Sequence, residues 1–422
     1  MTAIVGVLNK HAVAIAADSA ITTTGLSRRK VFNRGNKIFT LSKFHPVGVM
    51  IYNNAALEGV PWDVIIKLYR RSWGGKSFPQ LWDYKKDFIR FIYKKNFFID
   101  KSIQLSYLSA SVQFIITNLI GNEAGRLCGG IRDDNHDDFL SQMKRLMRQY
   151  SDLYSSTKQC ESLSGYKIDD FVKYSSKVFD DLINSLNQIS PDKEFREYAE
   201  TLIFNMIKSE HDNLPFTGIV FVGYGEDDIY PKLDPVNISL VIDNKLRYYD
   251  DINNSVEISD KNSSAIQPFA QTDVMDTVLL GIDPKLEKLF IENFKKTITK
   301  YGNMIAEGVD RIDPQMAAKI RDLDISGVVN EFRILNRELK RKQYIIPLVR
   351  AISSLEKEDL IDVAESLISL TSLKRRMTFE EESVGGPVDV AVISKGDGFI
   401  WIKRKHYFDP NLNDHFFKNY YR

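Results

Sequence analysis

The stretch that decides the fold lies at residues 2–19 and reads TAIVGVLNKHAVAIAADS. It contains two apolar runs, at residues 3–8 and 12–17, separated by a short polar turn. Because nearly every position in both runs is apolar, the pattern predicts a tight β-hairpin whose strands are covered on both faces. Asp18 ends the second run. The chain is therefore expected to enter a buried β-sheet directly after Met1.

Strand and helix patterns alternate along the rest of the chain. Apolar runs at residues 38–41 and 47–51 predict a second hairpin, and strands are also predicted at residues 217–224, 236–242, 245–249, 387–395 and 399–403. Asp243-Asn244 is typical of a hairpin turn. Helical spacing dominates between these segments, with an apolar stripe formed by Phe171, Tyr174, Val178, Phe179, Leu182 and Leu186.

Several local features of the helical regions are predicted as well. Asp283-Pro284, Asp313-Pro314 and Ser190-Pro191 have the order of a cap followed by a first-turn proline, so each predicts a helix start. Residues 133–154 are charged and predict a solvated helix. The acidic run Glu226-Asp227-Asp228 is interpreted as a solvated turn. A buried stripe is predicted at Leu286, Leu289, Phe290 and Phe294.

The order of these segments favours one composite α/β core of the α+β kind over serial domains, because strands lie at both ends and in the middle. We predict a single domain over residues 1–408. Its β segments are placed at about 2–58, 216–275 and 384–404, and its helical insertions at about 60–212 and 283–376. A C-terminal tail is expected at residues 409–422.

Composition and charge exclude several functional classes. The 57 Lys and Arg residues nearly cancel the 56 Asp and Glu residues, so a globally basic nucleic-acid binder is not expected. The two cysteines are too few for a disulfide framework and favour a reducing cytoplasm. No basic leader precedes the first strand, and the apolar run at residues 112–120 falls short of a bilayer span. We expect a cytoplasmic protein without a membrane partner, and the six scattered histidines predict no metal site or cofactor.

Thr2 is the residue with the clearest potential to act in catalysis. Removal of Met1 would give Thr2 both a hydroxyl nucleophile and a free α-amine, whose ordinary pKa of about 8 suits a base near neutral pH. A threonine at this position is commonplace and usually inert. The surrounding residues therefore have to decide its role.

The residues around Thr2 resemble the N-terminal signature of proteasome β-subunits and their bacterial relatives. The matching pieces are TAIVGV at residues 2–7, VAIAADS at 13–19 and GNKIF at 35–39. In that superfamily a processed N-terminal threonine is the nucleophile, an aspartate closes the second strand and a lysine opens the third. The resemblance assigns these roles to Thr2, Asp18 and Lys37. Lys37 lies a few residues further along than in the family, and a loop at residues 21–33 is expected to absorb the difference.

The match continues in pieces over roughly half of the chain, at GIVFVGY in residues 218–224 and at GGPVDVAVI in residues 385–393. It implies a divergent, bacterial-type N-terminal-nucleophile hydrolase with a four-layer αββα sandwich and long helical insertions. Thr2 would attack an amide carbonyl of a peptide or protein substrate. Lys37 would lower the pKa of the Thr2 hydroxyl, and Asp18 would hold the ammonium group.

Other family positions match less closely. The family's backbone oxyanion donor lies at a glycine, which here falls on Tyr52 or Asn53, and a bulky tyrosine at that place is a departure from the family. Glu381 and Ser383 stand where the family has a supporting aspartate and serine. Thr272 stands near the family's helix-start serine and is interpreted as a helix cap.

The resemblance implies a homo-oligomer and leaves any unfoldase or regulator unknown. A second function stays open: a catalytically inactive, proteasome-like scaffold or binding subunit that uses the inserted helices as an interaction surface. The two functions differ in one observable property. If Met1 is retained, Thr2 has no free amine and the catalytic hypothesis fails.

Overall fold

The computed structural model describes the chain except Met1, residues 25–28 and 33–34, Lys43, Ile99, residues 131–135 and 379–384, Tyr407 and residues 416–422. Residues 21–24 and 29–32, Asn187 and Pro410 are described by their backbone alone. The chain divides into two compact units. Unit 1 comprises Met1–Gly35, Ile229–Pro231 and Glu257–Arg422, and unit 2 comprises Asn36–Asp228 and Lys232–Val256.

Helices and antiparallel sheets are mixed, which is the α+β class expected from the sequence. The strands are β1 (Ala3–Asn9), β2 (Val13–Ala17), β3 (Ile21–Thr24), β4 (Arg29–Phe32), β5 (Ile38–Thr40), β6 (Val47–Asn53), β7 (Ala56–Leu57), β8 (Val60–Pro61), β9 (Thr217–Gly223), β10 (Lys232–Ile242), β11 (Lys245–Asp250), β12 (Val256–Glu257), β13 (Ser264–Ala270), β14 (Asp389–Ser394) and β15 (Gly398–Lys403).

Two π-helical segments, Phe114–Gly121 and Arg341–Ile345, continue α-helices without a break. The α-helices are α1 (Trp62–Trp73), α2 (Leu81–Lys95), α3 (Lys101–Gln113), α4 (Asn122–Leu127), α5 (His136–Ser156), α6 (Ile168–Ser185), α7 (Lys193–Lys208), α8 (Asp273–Leu280), α9 (Pro284–Asp310), α10 (Pro314–Arg321), α11 (Ser326–Lys340), α12 (Ile346–Ser353) and α13 (Lys357–Met377).

Unit 1 is built on a five-stranded antiparallel sheet in the order β13-β1-β2-β14-β15. The predicted first hairpin is confirmed, with Ile4 paired to Ala17, and both of its strands are buried along their whole length. One face of β1 and β2 packs against α13 in a core that includes Val5, Ala16 and Leu367. The residues of the opposite face are buried too.

Unit 2 is built on a second antiparallel sheet, with the path β11-β10-β9-β6-β5. The predicted second hairpin forms from β5 and β6, and Asp243 and Asn244 join β10 to β11 with φ of 50° and 60°. Two successive positive φ values are typical of a type I′ turn, as the dipeptide predicted. Helices α1 and α2 pack on one face of the sheet, where Trp62 and Phe88 join Phe221 in one core. The other face is also buried.

The helices α3 to α7 form a separate apolar core within unit 2. The predicted stripe on α6 is confirmed, since Phe171, Val178, Phe179 and Leu182 are buried and Tyr174 and Leu186 pack partly against them. The prediction of a solvated helix at residues 133–154 is wrong. Helix α5 buries an apolar stripe in the same core, because its charged residues occupy the other side of the helix. The buried residues of this stripe are Phe139, Met143, Leu146, Met147 and Tyr154.

A continuous helix from Lys101 to Leu127 is, among the described residues, the one helix long and apolar enough to cross a membrane. Its most apolar window has a mean hydropathy of 1.3, and 39% of that window is buried. Leu108, Val112, Ile116 and Ile120 contribute its buried side to the helical core of unit 2. Burial of one side is typical of a core helix in a globular domain.

Three predicted local features need correction. The loop expected at residues 21–33 contains a short hairpin, β3 and β4, paired from Ile21 to Phe32. The helix predicted to start at Ser190-Pro191 begins at Lys193, because the carboxylate of Asp192 accepts the Phe195 N–H and caps it. Within the acidic run, Asp228 is buried and accepts hydrogen bonds from Leu81 N and Gly225 N, so it is not solvated.

Helices α9 and α10 start as predicted but pack differently. The carboxylates of Asp283 and Asp313 each accept two backbone N–H groups of the first turn. The buried stripe predicted on α9 is wrong, since Leu286, Leu289 and Phe290 are 44%, 52% and 51% exposed. The apolar spacing correctly predicted that this segment is an amphipathic helix. In the described structure, however, this side of the helix is only partly covered, with Phe294 stacked on Phe332.

Candidate functional site

Thr2 lies at the entrance of the first sheet, directly before β1. It is 6% exposed, and its carbonyl oxygen accepts a hydrogen bond of 3.0 Å from Gln271 N. Strand β13 pairs with β1 and ends at Ala270, opposite Ala3. The next residue, Gln271, is therefore in place to bond the Thr2 carbonyl. The position of Thr2 is therefore fixed by its backbone.

Asp18 lies beside Thr2 because of the register of the first hairpin. Pairing of Ile4 with Ala17 sets Ala3 against Asp18, and Asp18 N donates to Ala3 O at 3.1 Å. In return Ala3 N donates to Asp18 Oδ1 at 2.8 Å. The other carboxylate oxygen accepts hydrogen bonds from Ala20 N and Gly385 N at 3.0 and 3.2 Å. Three backbone donors thus hold this fully buried carboxylate one residue away from Thr2.

Ser19, next to Asp18, connects the end of β2 to the segment that precedes β14. Its N–H donates to Gly385 O at 3.0 Å, and its hydroxyl donates to Pro387 O at 2.5 Å. Its carbonyl accepts a hydrogen bond from Gly35 N at 2.8 Å. The sequence pieces at residues 13–19, 35–39 and 385–393 therefore meet through backbone hydrogen bonds at their glycines. Ser19 lies in the motif VAIAADS, but the sequence predicts no role for it.

A buried arginine supports the segment that holds Thr2. Ala270 has φ of 64°, a left-handed conformation that disfavours a residue with a Cβ. Next to it, the Gln271 side-chain oxygen accepts a hydrogen bond from Arg375 Nη2, which also donates to Asp273 Oδ1 at 2.6 Å. Arg375 lies on α13 and is buried. Sequence reasoning missed this residue because its partners are more than 100 positions away.

Arg375→Met is expected to lower the free energy of unfolding by about 2 kcal/mol, because it removes the buried donor of the Gln271 amide oxygen and of Asp273 Oδ1, while Lys374 still pairs with Asp273 Oδ2 at 3.3 Å. The neighbouring Arg376 is exposed, so Arg376→Met is the matched control and should change stability by less than about 0.5 kcal/mol. Urea denaturation of both variants measures the difference. Equal stability of the two variants would show that Arg375 does not support this segment.

The other predicted site residues lie together in unit 2. Lys37 precedes β5 and is 4% exposed, and its carbonyl accepts the Ile51 N–H at 2.9 Å. Tyr52 pairs with Gly218, and its ring packs over that glycine. The Tyr52 hydroxyl donates to Asn237 Oδ1 at 3.3 Å, and burial raises its pKa. Asn53 is exposed and has φ of 64°.

The remaining predicted residues have different outcomes. Glu381 and Ser383 lie outside the described residues. Thr272 stands at the N-cap of α8 as interpreted, but its side chain makes no capping hydrogen bond. Its backbone carbonyl accepts the Asp276 N–H at 2.7 Å. Over the described part of the chain, no three His, Cys, Asp or Glu side chains are grouped so that they could hold a metal ion.

Unit 2 also contains a polar pocket of about 380 Å³ that sequence reasoning did not find. His211 and Asp212 line it at the end of the helical region, opposite Asn237 and Tyr249 on β10 and β11. The Tyr249 hydroxyl donates to Asp212 Oδ1 at 2.5 Å, and its oxygen also lies 2.9 Å from the His211 carbonyl oxygen. Burial, together with the nearby charge of Arg247, lowers the pKa of His211 to about 4.

Both ring nitrogens of neutral His211 form hydrogen bonds with nearby backbone groups. Its Nε2 lies 2.7 Å from Met206 O, and its Nδ1 accepts the Asn213 N–H at 3.0 Å. These partners assign the proton to Nε2, because Nδ1 has to be an acceptor. Protonation of Nδ1 would break the second hydrogen bond.

Stability is therefore expected to fall as the pH drops below the ordinary histidine pKa of about 6.5, since the unfolded chain then binds a proton that the folded chain does not. Between pH 7 and pH 5 the loss from His211 should be about 2 kcal/mol. Urea denaturation at both pH values checks this expectation. His211→Gln should remove most of the loss, whereas His11→Gln, at an exposed position, should keep it. An unchanged pH dependence in His211→Gln would contradict the assignment.

No protein-family model matches the chain, and no curated protein sequence matches it. Among solved structures, Anbu (ancestral β-subunit) from Yersinia bercovieri is similar, with a TM-score of 0.27 and 9% identity over 99% of this chain and 94% of that chain. Two structures of Anbu from Hyphomicrobium sp. strain MC1 are also similar. The Gly-1 mutant has a TM-score of 0.27 and 11% identity over 100% and 95% of the two chains, and the other has 0.29 and 9% over 99% and 94%.

Proposed function

We propose that the chain is an N-terminal threonine hydrolase of the proteasome β-subunit type, in which removal of Met1 makes Thr2 the nucleophile. One observation carries the proposal: Ala3 N donates a 2.8 Å hydrogen bond to Asp18 Oδ1 at the end of a buried hairpin. The carboxylate that the family resemblance requires thus lies next to the residue that would become the amino terminus. Both groups are held by backbone hydrogen bonds, which is the preorganisation that a catalytic group needs.

The proposed reaction is the hydrolysis of an amide bond in a peptide or protein. Thr2 Oγ attacks the carbonyl carbon while the free α-amine of Thr2 takes the hydroxyl proton. The C–N bond then breaks, and the same amine returns the proton to the leaving nitrogen, which leaves an ester on Thr2. Attack by water on that ester releases the acid and restores the threonine hydroxyl.

Lys37 and Asp18 are proposed to tune the nucleophile. A lysine ammonium close to the Thr2 hydroxyl would favour its deprotonated form, and a carboxylate would keep that ammonium in place. Burial supports this role, because lysine is almost never fully buried unless it is paired, and Lys37 is 4% exposed. Glu381 and Ser383 keep their predicted supporting role.

Asn53 is the better of the two candidates for the oxyanion donor. Its φ of 64° is a conformation that glycine adopts most easily and that asparagine tolerates. This backbone shape supports a position at which the family uses glycine. The tyrosine that departs from the family pattern, Tyr52, is 6% exposed and packs its ring over Gly218. We therefore propose that the Asn53 N–H stabilises the oxyanion.

The proposal includes a four-layer αββα sandwich built from the two sheets. Each sheet supports it separately. The sheet of unit 1 carries α13 on one face, and the sheet of unit 2 carries α1 and α2 on one face. In both sheets the face without these helices is also buried, as Ile4 and Ile15 show in the first and Met50 and Val220 in the second. Inner layers of a sandwich have this double burial.

Covalent labelling tests the proposed function. The native protein is incubated with a peptide β-lactone, which acylates hydroxyl nucleophiles, and its intact mass is measured before and after. A single adduct is expected on the native chain and none on Thr2→Ala. The Thr201→Ala variant, at a helical threonine in unit 2 that bonds its own helix, is the control and should label normally.

Equal labelling of native chain and Thr2→Ala, or no labelling of either, would contradict the proposed function. In that case the inactive scaffold or binding subunit becomes the better hypothesis.

A further inference from the structure

The helices α9, α10 and α11 form an arm within unit 1 that buries very little of its own surface. Helices α9 and α11 run antiparallel, since the rings of Phe294 and Phe332 stack at 4.1 Å and Lys340 pairs with Glu287 at 2.6 Å nearer the base. Each of the three helices has one buried residue: Ala306, Ala317 and Val329. Helices in water gain most of their stability from burying an apolar face, so an arm of this length needs a further partner.

The arm exposes many large apolar side chains. Between residues 284 and 345, fourteen large apolar side chains are 42% to 86% exposed. On α9 they form two triplets with the same spacing, fifteen residues apart: Leu286, Leu289 and Phe290, then Tyr301, Met304 and Ile305. Fifteen residues are about four helical turns, so both triplets lie on one side of the helix.

This exposed surface is large enough to form a stable interface. Fully burying an aliphatic side chain is worth about 1.5–3 kcal/mol at roughly 25 cal/mol per Å², which corresponds to roughly 60–120 Å² of apolar surface. At about half exposure, fourteen such side chains present on the order of 600 Å², which is most of the roughly 800 Å² that a standard protein interface buries per partner. Monomeric proteins rarely leave an apolar patch of this size open.

The charges of the arm favour a second copy of the same chain as the partner. Near the base, residues 285–300 carry five lysines against two glutamates, and residues 331–342 carry five basic against two acidic side chains. Near the tip, residues 307–324 carry five acidic against three basic side chains. Two copies arranged antiparallel would set the acidic tip of each arm against the basic base of the other.

We propose that the arm is a self-association surface, through which two copies of the chain pair antiparallel with tip against base. A two-fold pairing of this kind uses the same patch on both copies. It does not depend on the proposed hydrolase activity. The arm would hold the copies together whether or not Thr2 is catalytic.

Analytical ultracentrifugation of the full chain tests the proposal. Leu289→Glu combined with Leu339→Glu puts charges into the apolar base and should weaken association at least tenfold. Leu153→Glu is the matched control, because Leu153 is a similarly exposed leucine on α5 of the other unit, and it should associate like the native chain. Circular dichroism checks that each variant is folded.

Reversing the charges at the two ends of the arm tests whether the partner is a second copy of the chain. It also provides a second test if the leucine-to-glutamate variant misfolds. Lys296→Glu with Lys300→Glu should weaken association, and so should Glu307→Lys with Asp322→Lys. All four changes in one chain should restore it, because both ends then change sign. A monomeric native chain, or association that none of these changes affects, would overturn the proposal. A monomer that binds vesicles containing anionic lipid would assign the face to a membrane instead.

Discussion

Thr2→Ala is expected to lower the rate of peptide hydrolysis by on the order of 10³-fold or more, because it removes the proposed nucleophile and leaves the rest of the site in place. Thr2→Ser keeps a hydroxyl and an α-amine on the same residue, so it should keep measurable activity. The two variants differ chemically by one hydroxyl group. Their comparison therefore separates loss of the nucleophile from a general effect of changing position two.

The measurement is kcat/KM on a mixture of fluorogenic peptides, since the substrate preference is open. Thr201→Ala serves as the control for a threonine change elsewhere and should hydrolyse at the native rate. Circular dichroism confirms that the Thr2 variants are folded. If Thr2→Ala keeps a tenth or more of the native activity, Thr2 is not the nucleophile.

Asp18→Ala is expected to lower the free energy of unfolding by about 3–5 kcal/mol and to abolish activity. The buried carboxylate accepts backbone N–H groups from Ala3, Ala20 and Gly385, and all three donors lose their acceptor in the variant. Leaving a buried donor unpaired costs about 1–3 kcal/mol, so three of them account for a loss of this size. The variant also removes the group proposed to hold Lys37.

Asp260→Ala is the matched control for this experiment. Asp260 is 84% exposed at its side chain and pairs with Lys10 at 2.5 Å, so solvent screens this pair and the variant should be as stable as the native chain. Urea denaturation gives the two free energies of unfolding, and the peptide assay gives the two activities. A folded, equally stable and active Asp18→Ala would rule out both the structural and the catalytic role of Asp18.

The first hairpin was predictable because its signal is local. The uninterrupted apolar run at residues 3–8 and its counterpart at 12–17 match strands buried on both faces, and a short polar turn fixes their register. That register alone sets Asp18 against Ala3. The position of Asp18 beside Ala3 thus follows from one stretch of sequence, whereas the roles of Thr2 and Asp18 were implied by the family resemblance.

Features that depend on distant partners were not predictable in this way. Arg375 on α13 donates a hydrogen bond to Gln271 in the turn after β13, and no local sequence pattern in either segment indicates this contact. The charged residues of α5 concealed its buried stripe. The same periodicity that correctly gave α6 a buried side gave α9 one as well, because spacing shows that a helix has an apolar face but not what covers it.

The amino terminus of the purified native protein tests the central claim most directly. Intact mass combined with sequencing of the N-terminal peptide shows which residue is first and whether its amine is free. The proposed function requires a chain that begins at Thr2 with an unmodified α-amine. A chain that retains Met1, or whose Thr2 amine is blocked, would contradict it.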